Sequence, residues 1–186
     1  MGGGEDMEIL RKNIGQAVLE IVRGDITQQD TEAIVNAANK QLAPGGGVAG
    51  AIHRAAGPEL WEECRKLGGC ETGEAKISGG YRLKAKHVIH TVGPIYSGSA
   101  QDPVLLASCY RNSLELAAKH GIESISFPAI STGIFGYPIQ EAAEVSLKAV
   151  RDFLQGNPGP VKLVRFVLFS EKDFDVYRAA LEELLP

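Results

Sequence analysis

The chain has little positive charge, no long apolar run and no paired cysteines, and each deficit narrows what it can do. Lys plus Arg number 19 against 23 Asp plus Glu, a formal net charge of −4. That balance disfavours duplex nucleic acid as a partner, because such binding depends on counterion release at a basic face. Any nucleotide taken up is expected to be small or locally cradled. No stretch approaches the roughly 18 apolar residues of a membrane span, and the N-terminus lacks the basic-then-apolar order of a secretory signal. No membrane partner is expected, and a cytoplasmic location follows by default. The three cysteines, Cys64, Cys70 and Cys109, form no C-x-x-C pair, so neither a disulfide framework nor a zinc knuckle is indicated; free thiols packed as small hydrophobes are expected. His87 and His90 lie in a β-like run where a spacing of three sends them to opposite faces. No metal site and no cofactor are expected.

Familiar catalytic signatures are also absent. There is no Gly-x-x-x-x-Gly-Lys-[Ser/Thr] loop for a nucleotidase and no Gly-x-Gly-x-x-Gly turn for a dinucleotide oxidoreductase. Gly-x-Ser-x-Gly is missing too, so Ser131 has no evident triad.

What is present is a core-forming chain. With 186 residues and 44% apolar content, it can bury one sizeable core, and one domain over residues 8–186 is expected. Residues 1–7 read as a flexible leader or expression remnant, outside the fold. Strand-like runs fall at residues 17–22, 33–35, 74–78, 87–92, 122–127 and 161–169. Helix-like patterns fall at 48–56, 58–67, from about 104 to near 121, 138–154 with Pro138 in the first turn, and 173–185. Strands and helices alternate without internal repeats. This order predicts an α/β fold, a three-layer α/β/α sandwich with a mixed, mostly parallel central sheet, antiparallel where no helix separates two strands.

In such folds ligands sit at the carboxyl ends of strands. Four loops follow strands and can converge there: Asp25-Ile26, the stretch from Asn36 to Gly47, Ser131 to Gly136, and the segment after Phe169. Two are glycine-rich strand-to-helix loops that could offer backbone N–H groups and helix dipoles to two adjacent phosphates, although such loops also occur merely to turn the chain. Asp25 suits an adenine amino group and the Ile26 N–H a ring nitrogen; Asp25 equally suits a turn or helix cap. Phe169 could stack on a base or pack in the core. Asn36 and Asn39 suit ribose hydroxyls or an ordered water, or an Asx turn.

Taken together, Gly24-Asp25-Ile26-Thr27, Asn36-Ala37-Ala38-Asn39, the run from Gly45 to His53, His90-Thr91-Val92-Gly93-Pro94 and the run from Ser126 to Gly136 resemble the macrodomain family, whose members bind ADP-ribose. The similarity spans about residues 17–184. The resemblance implies that Asp25, Ile26 and Phe169 form the adenine pocket. It implies that Gly45, Gly46, Gly47, Val48 and Ala49 cradle the diphosphate together with Ser131, Thr132, Gly133, Ile134, Phe135 and Gly136. Phe135 would also pack beside the distal ribose, Asn36 would lie in the same set, and Asn39 would orient that ribose as the catalytic residue.

One departure matters. The MacroD-type branch, which the pattern here closely resembles, carries at position 49 an Asp assigned to water activation; this chain has Ala49. Viral and archaeal macrodomains are similar to it in having Gly-Gly-Gly-Val-Ala, and some of those remove mono-ADP-ribose from proteins. The resemblance therefore implies ADP-ribose, O-acetyl-ADP-ribose or mono-ADP-ribosylated proteins as partners of a monomer. Two activities stay open: hydrolysis of the ester at the distal ribose with water held by position alone, or a reader module that binds without turnover.

Overall fold

The computed structural model describes residues 9–186, so the expected leader at 1–7 lies outside the described residues. Seven strands are seen: β1 (Ile9–Ile14), β2 (Ala17–Arg23), β3 (Ala33–Ala37), β4 (Ala75–Gly79), β5 (His87–Thr91), β6 (Ser124–Phe127) and β7 (Leu163–Leu168). Five helices accompany them: α1 (Gly47–Ala56), α2 (Pro58–Cys64), α3 (Gln101–Lys119), α4 (Ile139–Gln155) and α5 (Glu171–Leu184). The strands form one sheet in the order β1-β2-β7-β6-β3-β5-β4. Its four inner joints are parallel, and β1–β2 and β4–β5 at the margins are antiparallel. Those two pairs are the ones joined without an intervening helix, the physical reason for mixed pairing.

Side-chain alternation sorts the sheet into two faces. Ala33, Val35, Ile89, Phe127 and Phe166 pack with Leu106 and Tyr110 of α3, Leu147 of α4 and Tyr177 of α5. Ile34, Val88 and Val167 point the other way, onto Ile52 and Ala56 of α1 and Leu60 of α2. The larger layer is stapled by aromatics: Tyr110 to Phe127, Phe127 to Phe166 and Phe166 to Tyr177 have ring centroids 4.8, 5.8 and 5.7 Å apart. Truncating such a ring in a filled core typically costs about 3–5 kcal/mol.

The differences from expectation are local. β1 was not foreseen, because Arg11-Lys12-Asn13 interrupts its apolar residues and its burial pattern is that of a half-exposed edge. α2 stops at Cys64 rather than continuing to residue 67, and a turn follows it. Pro138 stands at the N-cap of α4, one place before the first turn. No helix among the described residues is long and apolar enough to cross a membrane.

Candidate functional site

Five parallel strands, β2, β7, β6, β3 and β5, end at the same margin of the sheet. Their following loops are therefore laid out in spatial order: Asp25 after β2, Phe169 after β7, the 128–137 loop after β6, the 38–46 loop after β3 and Gly93-Pro94 after β5. At ordinary strand spacing this row is about 19 Å across. It is an extended track.

In the middle of the track, between the β3 and β6 loops, lies a cavity of about 280 Å³. One wall is Ala37, Ala38, Gly46, Gly47 and Val48; the other is Ala129, Ile130, Ser131, Gly133, Ile134 and Phe135, with Gly93 shared between them. Neither wall carries a charged side chain. Gly46 is the N-cap of α1 and makes no side-chain capping bond, so the first N–H groups of the helix, which have no intrahelical partner and form the positive end of its dipole, stay uncapped. Opposite, the N–H groups of Gly133, Ile134 and Phe135 find no protein acceptor among the described residues. Two sets of convergent N–H donors across a small cavity suit an anion with two charged groups.

The backbone there is built for the purpose. Gly47 has φ +54° and a side chain at that position would meet only open space, so glycine both permits the turn and keeps the cavity clear. Ser131 adopts φ +70° without being glycine, a conformation that surrounding bonds must hold. They do: its hydroxyl donates to the Pro94 carbonyl at 2.7 Å and its own carbonyl accepts from Tyr137 N–H at 2.9 Å. The Tyr96 N–H donates to the Phe135 carbonyl at 2.9 Å, which ties the wall to the 93–99 segment.

At the β2 end, the Oδ1 of Asp25 accepts from Thr27 N–H at 2.9 Å and from the Thr27 hydroxyl at 2.8 Å, capping a short 3₁₀ turn at Ile26–Gln28. The cap alternative is thus realised, yet it occupies one carboxylate oxygen and leaves Oδ2 and the Ile26 N–H without a partner among the described residues. Phe169 is 84% exposed, so core packing does not account for it. A polar chain props this end: buried Glu20 lies between Arg11 at 2.7 Å and Arg165 at 2.8 Å. Arg165 in turn donates to Gln29, whose Nε2 donates to the Asp25 carbonyl, both at 3.0 Å. Burial raises the Glu20 pKa, but the hydrogen bonds from Arg165 and Arg11 outweigh it and hold the carboxyl below its ordinary range.

The remaining predicted residues divide. Asn39 lies on an adjoining groove rather than on the cavity. Its amide exchanges two 2.9 Å bonds with the backbone of Ala43, so the Asx-type brace is present and the loop that carries it is fixed. Gly45, Thr132 and Gly136 do not line the cavity; Thr132 fastens to the Ala129 carbonyl and Gly136 N–H to the Gly133 carbonyl. Ala49 is buried in the first turn of α1.

Asn36 does not line the cavity. It is fully buried and turns away from the cavity, since it alternates with Ala37 along β3. Its Nδ2 donates to His90 Nδ1 at 3.0 Å, so the proton of that ring sits on Nε2 and is given to the Ser78 hydroxyl at 2.8 Å, which donates to the Gly79 carbonyl at 3.1 Å. Burial, with a smaller contribution from His53, pushes the His90 pKa down to about 3. The ring is a neutral strut.

Burial likewise lowers the pKa of His53 and raises all three thiols to about 11, so these cysteines are inert packing groups. Ala37, Ala38, Ala129 and Ile130 also form the walls, although apolar residues carry no chemical signal of a site. Gly93 stands in one of the motifs that carry the resemblance but was given no role in the site.

Comparison with known proteins identifies the family. A family model described as the Macro domain matches residues 35–146. A macro domain-containing protein of Chlorobaculum tepidum is 55% identical over 165 residues, covering 88% of this chain and 95% of that protein. The ADP-ribose glycohydrolase MACROD2 of Xenopus laevis is 53% identical over 184 residues, 96% of this chain; the match spans 43% of that longer protein. Among solved structures, the Oceanobacillus iheyensis macrodomain with ADP superposes with a TM-score of 0.94 at 48% identity, covering 97% of this chain and 98% of that one.

Proposed function

Because the chain belongs to the Macro domain family, we propose that its strand-end track binds ADP-ribose and that it hydrolyses the ester bond at the distal ribose. The substrates would be mono-ADP-ribose on acidic side chains of proteins, or O-acetyl-ADP-ribose. The observation that carries the reading is the cavity walled on both sides by convergent backbone N–H donors, a site for a diphosphate.

The neighbouring loops supply the rest. At one end Asp25 Oδ2 and the Ile26 N–H read the adenine edge, and Phe169 stacks on its face. Gly46, Gly47 and Val48 hold one phosphate while Ser131, Gly133 and Ile134 hold the other. Gly45, Thr132 and Gly136 shape these loops, and Ala49 closes the first turn beneath them. Asn39, locked by Ala43, orients the distal ribose against Phe135. Asn36 supports β3 from behind through His90 and touches no ligand.

No carboxylate stands at position 49, so water is held between a substrate phosphate and the ribose, and orientation replaces a protein base. Well-positioned intramolecular reactions reach effective molarities of about 10⁵ M and above. The name of the Xenopus relative supports the hydrolase class. Ala49 favours the second reading, a module that binds ADP-ribose without turnover.

Single-turnover incubation with an auto-mono-ADP-ribosylated acceptor separates the two. Release of ADP-ribose, slowed by Asn39→Ala while ADP-ribose affinity persists, is the expected result. No release at stoichiometric protein would leave the reader.

A further inference from the structure

Beyond Phe135 the track continues into a second groove of about 430 Å³, lined among others by Asn39, Lys40, Gln41, Ile95 and Leu105. It shares Gly93 and Phe135 with the first cavity, so the two adjoin. Resting on the ADP-ribose ester reading above, we propose that this groove seats the acceptor polypeptide, with an apolar side chain of the acceptor against Ile95 and Leu105.

The order of the strand ends sets the direction. With adenine at β2 and β7 and the diphosphate between β6 and β3, the end of the ligand that bears the leaving group faces β3 and β5, where the groove lies. Its volume falls in the range that encloses a ligand of many atoms, whereas an acetyl group has three heavy atoms. Ile95 is 68% exposed, yet its surroundings are anchored. The Asp102 carboxylate accepts from the N–H groups of Ser97, Gly98 and Ser99 at 2.8, 2.8 and 3.2 Å, and the Tyr96 ring packs on Tyr137 at 5.0 Å. An apolar side chain is thus held out at the mouth of a preformed groove, an arrangement that favours binding over solubility.

The charge also matches an acidic acceptor. Lys40 stands 3.8 Å from Glu71 with both side chains more than half exposed, a pairing worth little in water. Its ammonium remains able to face the carboxylate that hydrolysis sets free. In that step water adds its oxygen, the ester C–O bond breaks, the ribose keeps a hydroxyl, and the acceptor leaves as a carboxylate with one proton passed to solvent. Asp102 does not oppose this, because its own charge is met by three N–H donors.

The test compares two esters of the same ribose that differ in the leaving group. Wild type, Ile95→Asp and Ile95→Ser are given a polypeptide mono-ADP-ribosylated on an acidic residue, then O-acetyl-ADP-ribose, with ADP-ribose affinity measured by calorimetry. Because Ile95 is exposed, the fold should tolerate both changes. The expected result is a fall in kcat/KM of about tenfold for the polypeptide, larger for Asp than for Ser, with acetyl-ester turnover and ADP-ribose affinity within about twofold of wild type. Equal losses on both esters, or no loss on either, would overturn the groove. If wild type hydrolyses neither ester, the hydrolase reading alone has failed. The groove is then judged by affinity: modified polypeptide binding about tenfold tighter than ADP-ribose, with the advantage erased by Ile95→Asp, supports it, and equal affinities refute it.

Discussion

Asp25 has two jobs in this reading, and two substitutions separate them. Its Oδ1 caps the 3₁₀ turn through Thr27; its Oδ2 is assigned to the adenine amino group. Asp25→Asn retains a capping oxygen but turns an amide donor toward the amino group, so stability should hold while binding falls. Asp25→Ala loses both, and a missing cap costs about 1 kcal/mol. A hydrogen bond to a charged acceptor contributes about 1.5–3 kcal/mol, and the lower figure applies because the side chain is exposed. That corresponds to about a tenfold weaker Kd for ADP-ribose in either variant. Calorimetry gives the affinity and urea unfolding the stability. If Asp25→Asn bound ADP-ribose within about twofold of wild type, Asp25 would be a cap and nothing more.

Acid should weaken the fold through the buried histidines. The ordinary His pKa is 6.5 and His90 is held at about 3, with His53 also lowered. Below about pH 6.5 the unfolded chain takes up protons that the folded chain refuses, so stability present at pH 7 is lost as the pH falls toward 3. For His90 alone the loss is about 2 kcal/mol at pH 5, and urea midpoints at pH 7 and pH 5 should converge in His90→Gln; an unchanged gap in that variant would contradict the strut. Gly93→Ala would place a methyl 2.6 Å from Ile130 Cγ2 and closer still to the Ser131 hydroxyl. It should cost about 1–3 kcal/mol by overpacking and weaken ADP-ribose binding, both read by thermal shift with and without ligand. Ala49→Asp places a carboxylate one helical turn before His53, whose ring nitrogens have no hydrogen-bond partner. A positioned proton acceptor typically contributes about 10²-fold, so the single-turnover rate should rise by that order; no rise would mean that positioning alone already limits the reaction.

Much of the architecture was legible in the chain because it follows from local chemistry. The short continuous apolar runs at 33–35 and 88–89 mark strands buried on both faces, and Gly57 before Pro58 separates α1 from α2. The half-exposed β1 escaped because an edge strand needs only one apolar side, and Arg11-Lys12-Asn13 blurs its period. Within the site, Gly46 and Gly47 carried a signal, since glycine-rich turns are readable as backbone chemistry, whereas the left-handed turn at Ser131 is held by bonds that only the tertiary structure brings together. Asn36 and Asn39 carried the same signal as each other and differ in place: one faces His90 inside the fold, the other braces a loop at the groove.

From its own order the chain determined which segments become strands, which loops follow them and which residue types those loops present, because these depend on neighbours within a few positions. It also determined that position 49 carries no acid. Only the tertiary structure decided that five strand ends stand side by side, since parallel pairing joins residues far apart in sequence. That pairing turns separate glycine loops into one cavity, sends Asn36 to the interior and sets a second groove beyond Phe135.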